Sequence, residues 1–355
     1  FDAFVHAARD LDLEVAIDLA LQASPDHPWV KSHPEWFTTR VDGSIAYAEN
    51  PPKKYQDIYP LNFDNDFKGL SEEVLRIVLM WIGHGVKIFR VDNPHTKPLM
   101  FWEWLIKSVN DKHPEVIFLA EAFTRPAVMH ALGMAGFQQS YTYFTWRNTR
   151  KELEEYFTEV SAETAAFFRP NFFVNTPDIL TEFLQYGGPG AFKIRAVLAS
   201  TASPLWGMYA GYELFEHVAR PGAEEYIDNE KFEYKQRDFA GAIAEGRSLV
   251  PFITRLNDIR RFHPALGDLQ NLTVHSSTDE ATVVYSKHKQ VDPGDPSSKD
   301  TLIIVVNTDP HSARECTVSL DLAALHLNPE DFNEDGTFWV DDLISGQSWR
   351  WGAHN

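Results

Sequence analysis

The amino-acid sequence predicts an α/β barrel followed by a small antiparallel β-domain, and three observations lead to this fold class. Short apolar runs alternate with helical patterns up to about residue 265. The runs are nearly continuous, which is typical of parallel strands covered on both faces. From about residue 271, polar and apolar residues alternate between turn residues. A doubly wound sheet would also fit the first two observations, and the acidic residues described below favour the barrel.

Six apolar runs qualify as strands of this barrel. In chain order they are "LEVAIDLAL" (13–21), "VKIFRV" (86–91), "VIFLAE" (116–121), "SYTYFTW" (140–146), "NFFVN" (171–175) and "PLWGMYA" (204–210). A complete (β/α)8 barrel needs two more strands. The opening "FDAFVHAARD" resembles the middle of an amphipathic helix. We therefore expect that the N-terminal strands of the barrel are missing from this chain.

The strand and turn patterns divide the chain into two predicted domains. Residues 1–265 form the catalytic barrel, incomplete at its N-terminus, and residues 266–355 form an antiparallel β-sandwich. The segment 22–70 is rich in Pro, Asp, Tyr and Trp. A loop of this length in a compact domain is usually functional, so we expect a lid over the strand ends.

The charge balance narrows the class of partner. Thirty-two basic and 51 acidic residues give a net charge of −19, which repels nucleic-acid backbones and anionic lipid surfaces. No apolar run is long enough to cross a bilayer. Cys316 is the only cysteine, which excludes a disulfide framework and is typical of a cytoplasmic protein.

The sequence predicts neither a metal nor another cofactor. The segment "NFDNDF" (62–67) has the oxygen-rich composition of a calcium loop. It lacks the glycine and the distant glutamate of an EF-hand. Capping of the following helix explains its acidic and amide side chains equally well.

Three carboxylates stand at or just after predicted strand ends. Asp92 ends the second run, Glu121 ends the third and Asp178 follows the fifth. Because catalytic residues of barrel enzymes come from the ends of different strands at one face, we expect them to converge. Two carboxyls flanking a bond are what glycoside chemistry requires.

Arg90 lies two residues before Asp92 and therefore on the same face of the strand. The pair would keep Asp92 ionised. A structural ion pair, or a helix N-cap at Asp92 or Asn93, is the alternative interpretation of this stretch.

The segments around these acids resemble short regions of the α-amylase superfamily. "LEVAIDLALQ", "GVKIFRVDNPH", "IFLAEAF" and "FFVNTPD" occur in the order of that family's first four regions. The resemblance implies that Asp92 is the nucleophile, Glu121 the acid/base and Asp178 the transition-state stabiliser. Arg90 would support the nucleophile.

Two departures point to one branch of that superfamily. Where amylases typically carry Asn-His and His-Asp, this chain has Gln22-Ala23 and Pro177-Asp178. This pattern, with "DNPHTKP", "AEAFTRP" and "ASPDHPWV", resembles the bacterial GlgE-type maltosyltransferases. The resemblance implies a retaining transfer of maltosyl from α-maltose 1-phosphate to an α-1,4-glucan or malto-oligosaccharide, with release of inorganic phosphate. It also implies a bacterial cytoplasmic enzyme and leaves a homodimer open.

The same resemblance implies a phosphate site in the long loop. "ENPPKKY" is similar to the family segment that holds the donor phosphate, which assigns Asn50, Lys53 and Tyr55, with Asn93 as a further donor. A protein of net charge −19 needs local positive charge to bind a phosphate dianion. From the residues alone, a solvated Lys53-Lys54 pair is the alternative.

Other candidates have more than one interpretation. Gln22 is a candidate substrate contact, and His95 either touches the first sugar or is a structural hydrogen-bonding residue. The segment 229–239 either lines the donor side or is a solvated charged face. At the level of function, an amylase-like hydrolase or transglycosidase that does not use phosphate is one rival. A non-catalytic amylase-like binding subunit is the other.

Overall fold

The structure is a computed structural model in which two compact units are distinguished. The first unit comprises Phe1–Tyr141 with Phe167–Arg169, and the second comprises Thr142–Ala166 with Pro170–Asn355. The predicted boundary between residues 265 and 266 stays a prediction. The structure describes residues 1–50, 53–229, 234–295, 297–327 and 329–352, without the side chains of Asn50 and Lys53.

The first unit contains eight strands within its described residues. They are β1 (Ala16–Leu19), β2 (Gln22–Ala23), β3 (Ala48–Asn50), β4 (Lys53–Tyr55), β5 (Tyr59–Pro60), β6 (Ile88–Asp92), β7 (Ile117–Glu121) and β8 (Gln139–Tyr141). Its helices are α1 (Asp2–Arg9), α2 (Pro28–Ser32), α3 (Phe67–Gly83), α4 (Leu99–Asn110) and α5 (Pro126–Met134).

Four of these strands form a parallel sheet in the order β1-β6-β7-β8. On β6, Phe89 and Val91 are fully buried, whereas Arg90 and Asp92 on the other face are partly exposed. The rings of Phe89 and Phe118 stack across β6 and β7 with centroids 5.5 Å apart. The apolar face therefore forms the core of this unit, and the polar strand ends lie on the other face.

Helix α3 begins at the end of the segment 62–67, whose composition resembles a calcium loop. Asp66 is its N-cap and accepts a hydrogen bond from the amide of Gly69 at 2.9 Å. The other carboxylate oxygen of Asp66 accepts one from Trp36 Nε1 at 3.0 Å. The capping interpretation is therefore confirmed for Asp66, whereas Asn65 donates to the Glu35 carbonyl instead. Capping typically contributes about 1 kcal/mol to helix stability.

The predicted lid loop has regular structure of its own. Strands β3 and β4 form a hairpin, and β2 pairs with β5. Within the loop, Trp36 and Phe37 are buried in the core of the first unit. The segment is thus fastened at several points along its length.

The second unit contains two parallel strands and five helices within its described residues. The strands β9 (Pro170–Phe173) and β10 (Leu205–Gly207) pair directly. The helices are α6 (Arg150–Thr158), α7 (Glu182–Tyr186), α8 (Gly188–Ala202), α9 (Phe239–Ala244) and α10 (Val250–Phe262). The run predicted as a strand over 140–146 is wrong in extent, because β8 ends at Tyr141 and a 3₁₀ turn covers Tyr143–Trp146.

The C-terminal part of the second unit is antiparallel, as predicted. Its strands are β11 (Leu272–Ser277), β12 (Thr282–Gln290), β13 (Lys299–Asn307), β14 (Val318–Ser319), β15 (Thr337–Asp341) and β16 (Ser348–Gly352). The first four form one sheet in the order β13-β12-β11-β14, and the last two form a hairpin. Arg150 on α6 donates to the main-chain oxygens of Ser277 and Asp279 at 2.8 and 2.9 Å, which fastens this sheet to the helix. Across the described residues, no helix is long and apolar enough to cross a membrane.

The buried Lys287 on β12 should make the stability of the protein rise with pH. Burial, and then the charge of Arg260, lower its pKa to about 7, against about 10.4 in an unfolded chain. Between these values the unfolded chain binds one more proton than the folded chain. The free energy of unfolding should therefore rise by up to ~1.4 kcal/mol per pH unit relative to a Lys287→Met variant.

Urea unfolding of the full-length protein from pH 6 to pH 10 measures this difference. Lys289→Met is the matched control, because Lys289 lies two residues along the same strand and pairs with the Asp268 carboxylate at 3.0 Å. It should retain the wild-type slope. Parallel profiles for wild type and Lys287→Met would show that burial of Lys287 does not carry this pH dependence.

Candidate active site

Asp92 and Glu121 occupy equivalent positions at the ends of adjacent parallel strands. They are the last residues of β6 and β7, and their Cα atoms are register partners. Their side chains are 22% and 14% exposed, so both are sheltered but reachable. Adjacent strands lie about 4.8 Å apart. This strand spacing is close to the distance of roughly 5–5.5 Å between the two carboxyl groups of retaining glycosidases.

Arg90 lies among three carboxylates. Its Nη2 is 2.8 Å from Glu121 Oε1, and its Nη1 is 3.1 Å from Asp18 Oδ2 and 3.9 Å from Asp92 Oδ1. Burial opposes its charge, but Glu121 and Asp18 favour it, and the pKa of Arg90 lies above its ordinary value. The predicted approach of Arg90 to Asp92 is therefore present, while the shorter contacts are with Glu121 and Asp18.

Two amide side chains contact the candidate nucleophile. Gln22 Nε2 donates to Asp92 Oδ2 at 3.5 Å, and Asn93 Nδ2 donates to Asp92 Oδ1 at 3.3 Å. Both bonds are long, as is common where catalytic hydrogen bonds tighten only with substrate. The structure thus brings these two predicted binding residues to the end of β6.

The turn after Asp92 explains how Asn93 reaches back to that carboxylate. Asn93 has a φ of 46°, a left-handed conformation that asparagine tolerates better than most residues. It precedes a 3₁₀ turn at Pro94–Thr96 and makes no side-chain cap bond there. The side chain of the buried Trp102 donates to the Pro94 carbonyl at 2.8 Å and fixes the turn. Asn93 therefore occupies the N-cap position that the alternative interpretation gave it, but its side chain contacts Asp92 and caps nothing.

His95 and Lys97 are two further titratable groups close to Asp92. Burial, and then the charge of Lys97, lower the pKa of His95, while Asp92 opposes the shift. Among the described residues, His95 Nδ1 is buried and has no hydrogen-bond partner. Burial also lowers the pKa of Lys97 to about 8. Lys97 was not recognised from the sequence.

The predicted phosphate residues lie on the β3–β4 hairpin. Asn50 is register partner of Lys53, and Tyr55 is register partner of Ala48. Tyr55 is partly buried. The side chains of Asn50 and Lys53 lie outside the described part of the structure, so their role stays a prediction. In the 229–239 segment, residues 230–233 also lie outside it.

Asp178 belongs to the second unit and lies in the turn that follows β9. Its main-chain amide donates to Thr176 Oγ1 at 3.2 Å. The fully buried Asn175 holds the start of this turn, because its amide group donates to the Tyr226 hydroxyl at 2.6 Å and accepts from the Tyr209 amide at 2.8 Å. Its convergence with Asp92 and Glu121 stays a prediction.

Sequence reasoning missed two residues that contact Arg90. Asp18 is register partner of Arg90 across β1 and β6, a relation that depends on strand order and not on local pattern. Tyr141 hydrogen-bonds to Arg90 and ends β8. Its run was predicted to continue as a strand to residue 146, which concealed that Tyr141 is a strand end.

Known proteins resemble this chain along its whole length. A family model described as "GLGE, C-terminal" matches residues 274–355. The α-1,4-glucan:maltose-1-phosphate maltosyltransferase of Mycolicibacterium smegmatis is 59% identical over 356 residues, covering 100% of this chain and 49% of that protein. The protein of the same name from Mycobacterium tuberculosis is 57% identical, with the same coverage. Maltosyltransferase 2 of Streptomyces coelicolor is 55% identical over 100% of this chain and 51% of its own length.

The chain is thus similar along its whole length to the GlgE-type maltosyltransferases. It spans about half the length of the curated relatives it matches.

Solved structures confirm the fold class that the sequence predicts. An α-amylase from Anoxybacillus matches with a TM-score of 0.68 at 17% identity, covering 98% of this chain and 74% of that one. The maltogenic α-amylase AmyB from Thermotoga neapolitana matches with a TM-score of 0.67 at 15% identity, over 98% and 75%. The predicted α/β barrel architecture with a C-terminal antiparallel domain is therefore confirmed.

The described part of the chain shows no clustered metal ligands. Among those residues, no group of three or more His, Cys, Asp or Glu side chains is placed to hold a metal ion. The expectation that the enzyme needs no metal or cofactor stays a prediction.

Proposed function

We propose that the chain carries the catalytic centre of a retaining maltosyltransferase. It moves maltosyl from α-maltose 1-phosphate to the non-reducing end of an α-1,4-glucan or malto-oligosaccharide and releases inorganic phosphate. The observation that carries the proposal is the register pairing of Asp92 with Glu121 at two strand ends, with Arg90 between them. The relatives that are 55–59% identical bear the name of this activity.

In the first step, an Asp92 oxygen attacks the anomeric carbon of the donor. The bond from that carbon to the phosphate oxygen breaks, and Glu121 donates a proton to the departing oxygen. The amides of Gln22 and Asn93 contact the two oxygens of Asp92. They hold the carboxylate in one orientation for attack, and its product is a β-maltosyl ester.

In the second step, Glu121 acts as a base. It removes the proton from the 4-hydroxyl of the acceptor glucan, whose oxygen attacks the ester carbon from the opposite face. The Asp92 carboxylate leaves, and the new bond has the α configuration of the donor. Asp178 would grip ring hydroxyls as the ring flattens, an interaction that strengthens in the transition state.

The reaction should also run backwards if phosphate is the leaving group. Inorganic phosphate and a long glucan should yield α-maltose 1-phosphate with the full-length protein, because the forward steps are reversible. Forward activity is measured as phosphate released from α-maltose 1-phosphate and a short malto-oligosaccharide. Hydrolysis of glucans with no response to phosphate would overturn the proposal in favour of an amylase-like enzyme, and no reaction on any glucan would favour a binding subunit.

Lys53→Ala should weaken every phosphate-dependent reaction. A charge-assisted hydrogen bond to phosphate contributes about 1.5–3 kcal/mol, so phosphate release and phosphorolysis should fall roughly 10- to 100-fold. Disproportionation of malto-oligosaccharides through the maltosyl-enzyme should change much less. Lys54→Ala is the matched control, because Lys54 is exposed and pairs loosely with Glu49 at 3.9 Å. Equal losses in phosphate-dependent and phosphate-independent reactions would assign Lys53 to the fold or to sugar binding.

We also propose that the protein is cytoplasmic. A single free cysteine and a phosphorylated sugar donor support this location.

A homodimer would be tested by the sedimentation of the full-length protein. A monomer that retains full activity would remove dimer formation from the proposal.

A further inference from the structure

Tyr141 stands beside the candidate acid/base although nothing in the sequence pattern singles it out. The register of β7 and β8 pairs Leu119 with Gln139 and Ala120 with Ser140. The next residue on each strand is Glu121 and Tyr141 respectively. Arg90 hydrogen-bonds to the Tyr141 side chain, and its guanidinium carbon is 5.7 Å from the centroid of that ring.

The Tyr141 hydroxyl accepts a hydrogen bond from Arg90 and so uses one of its few N–H donors. A guanidinium has five N–H groups in one plane. Those of Arg90 also serve Asp18 at 3.1 Å and Glu121 at 2.8 Å, and Asp92 lies at 3.9 Å. A fourth partner that holds the plane in place limits how far Arg90 can turn toward any one carboxylate.

The position of Arg90 matters for the proton on Glu121. In the proposed reaction Glu121 must carry a proton, give it to phosphate and later take one back. A cation that hydrogen-bonds to a carboxyl favours its ionised form. If Arg90 turned fully toward Glu121, the carboxyl would hold its proton less well and would be a poorer acid at neutral pH.

We propose that Tyr141 is a positioning residue that holds Arg90 between Asp92 and Glu121, so that Glu121 can carry and return the proton of the transfer reaction. This inference rests on the proposed function. Tyr141 itself exchanges no proton and touches no reacting atom. It acts through Arg90 alone.

A neutral phenol suits this task better than another acid. Burial raises the pKa of the Tyr141 hydroxyl, and Arg90 only partly opposes that shift. The group therefore stays uncharged at neutral pH. It accepts a hydrogen bond without adding a fourth negative charge to those of Asp18, Asp92 and Glu121. Among the described residues, His95 and Lys97 are further titratable groups near this cluster, and both interact with Asp92 from the following turn.

Tyr141→Phe in the full-length protein tests the proposal. The substitution removes only the hydroxyl. It keeps the ring, whose centroid lies 6.2 Å from that of the Phe123 ring. The alkaline limb of kcat/KM for α-maltose 1-phosphate should move to lower pH by about half a unit or more, because Arg90 is freed to stabilise ionised Glu121. At neutral pH, kcat should fall roughly threefold or more, because a shift of half a pH unit lowers the protonated fraction of Glu121 by up to that factor, with KM nearly unchanged. The donor phosphate titrates identically with both enzymes, so the difference reports the protein.

Tyr285→Phe is the matched control for a purely structural effect. The Tyr285 hydroxyl is buried and bonds to Thr201 Oγ1 at 2.5 Å in the antiparallel part of the second unit. Its loss should lower stability and leave the alkaline limb in place. An unmoved limb in Tyr141→Phe would overturn the proposal, whatever the change in kcat.

A readout that needs no turnover separates this inference from the proposed function. The side-chain carboxyl of Glu121 can be followed by carbon-13 NMR and assigned by its loss in Glu121→Gln. Its titration should move to lower pH in Tyr141→Phe. Wild-type protein that does not act on α-maltose 1-phosphate would sink the proposed function, whereas an unchanged Glu121 titration would sink the role of Tyr141.

A second variant covers the case in which Tyr141→Phe does not fold. Incorporation of 3,5-difluorotyrosine at position 141 keeps the hydroxyl and makes it more acidic. The phenolate would draw Arg90 away from Glu121 and add negative charge beside it, so the Glu121 titration should move to higher pH. A movement in the other direction, or none, would contradict the proposal.

Discussion

Asp92→Asn should abolish maltosyl transfer, with a loss of at least ~10⁴-fold in kcat, because an amide cannot serve as the nucleophile of the first step. The substitution preserves the shape of the side chain and one acceptor oxygen, so contacts from Gln22 or Asn93 can persist and the protein should fold normally. Phosphate release in a single turnover of the full-length protein is the measurement. It is sensitive to formation of the maltosyl ester alone, independent of the acceptor.

The matched control for this loss is Asp18→Asn. Asp18 contacts the same guanidinium as Asp92, at a shorter distance of 3.1 Å, but its side chain is 63% exposed and lies on β1. Its loss should reduce activity far less, by no more than about fivefold. Losses of equal size in both variants would mean that charge around Arg90, and not nucleophilic attack by Asp92, is what the reaction requires.

Chemical rescue gives an independent check of the same assignment. In Asp92→Gly, azide can enter the space left by the carboxylate and attack the same face of the sugar. With maltosyl fluoride as donor, the product should be β-maltosyl azide. Recovery of the α product, or no rescue, would count against Asp92 as the nucleophile.

Local pattern was sufficient to locate Asp92 and Glu121. In both strands a hydrophobic run stops at a carboxylate, and the structure ends β6 and β7 at those residues. The partners of Arg90 could not be predicted in the same way. They depend on which strands are neighbours, and Asp18 is 72 positions away along the chain.

The error at residues 140–146 has one local and one long-range physical cause. An aromatic run with threonines has high strand propensity, which predicted one continuous strand. In the structure, the Thr142 side chain accepts a hydrogen bond from the Phe144 amide at 3.4 Å and begins a 3₁₀ turn. The buried Arg195 donates to the carbonyl oxygens of Phe144 and Arg147, both at 2.5 Å, and satisfies the end of that turn. These long-range contacts of Arg195 with the turn are not visible in the local sequence.

The long loop shows the same limit of sequence reasoning. Its composition predicted a functional lid, but it could not predict that Trp36 is anchored by Asp66, the cap of α3. One carboxylate thus serves both the helix and the loop. The phosphate residues assigned to the β3–β4 hairpin rest on family resemblance, because a Lys-Lys pair in a loop has no pattern that distinguishes binding from solvation.

Glu121→Ala should separate the two steps of the proposed reaction. With maltosyl fluoride, whose leaving group needs no proton, Asp92 can still be glycosylated. The acceptor hydroxyl then lacks its base, so the second step should slow by about 10²- to 10⁴-fold and the maltosyl-enzyme should accumulate. Intact-protein mass spectrometry measures the adduct, and peptide mapping should find it on Asp92.

The double variant Asp92→Asn/Glu121→Ala is the control and should acquire no adduct. Label on another residue of Glu121→Ala would overturn the assignment of the nucleophile. With α-maltose 1-phosphate, the same Glu121→Ala protein should form its adduct more slowly, since the departing phosphate oxygen also loses its proton donor. Arg90 cannot supply that proton, because a guanidinium stays charged throughout the working pH range. The difference in the rate of adduct formation between the two donors therefore measures the role of Glu121 as an acid. The accumulation of the maltosyl ester in the same variant measures its role as a base.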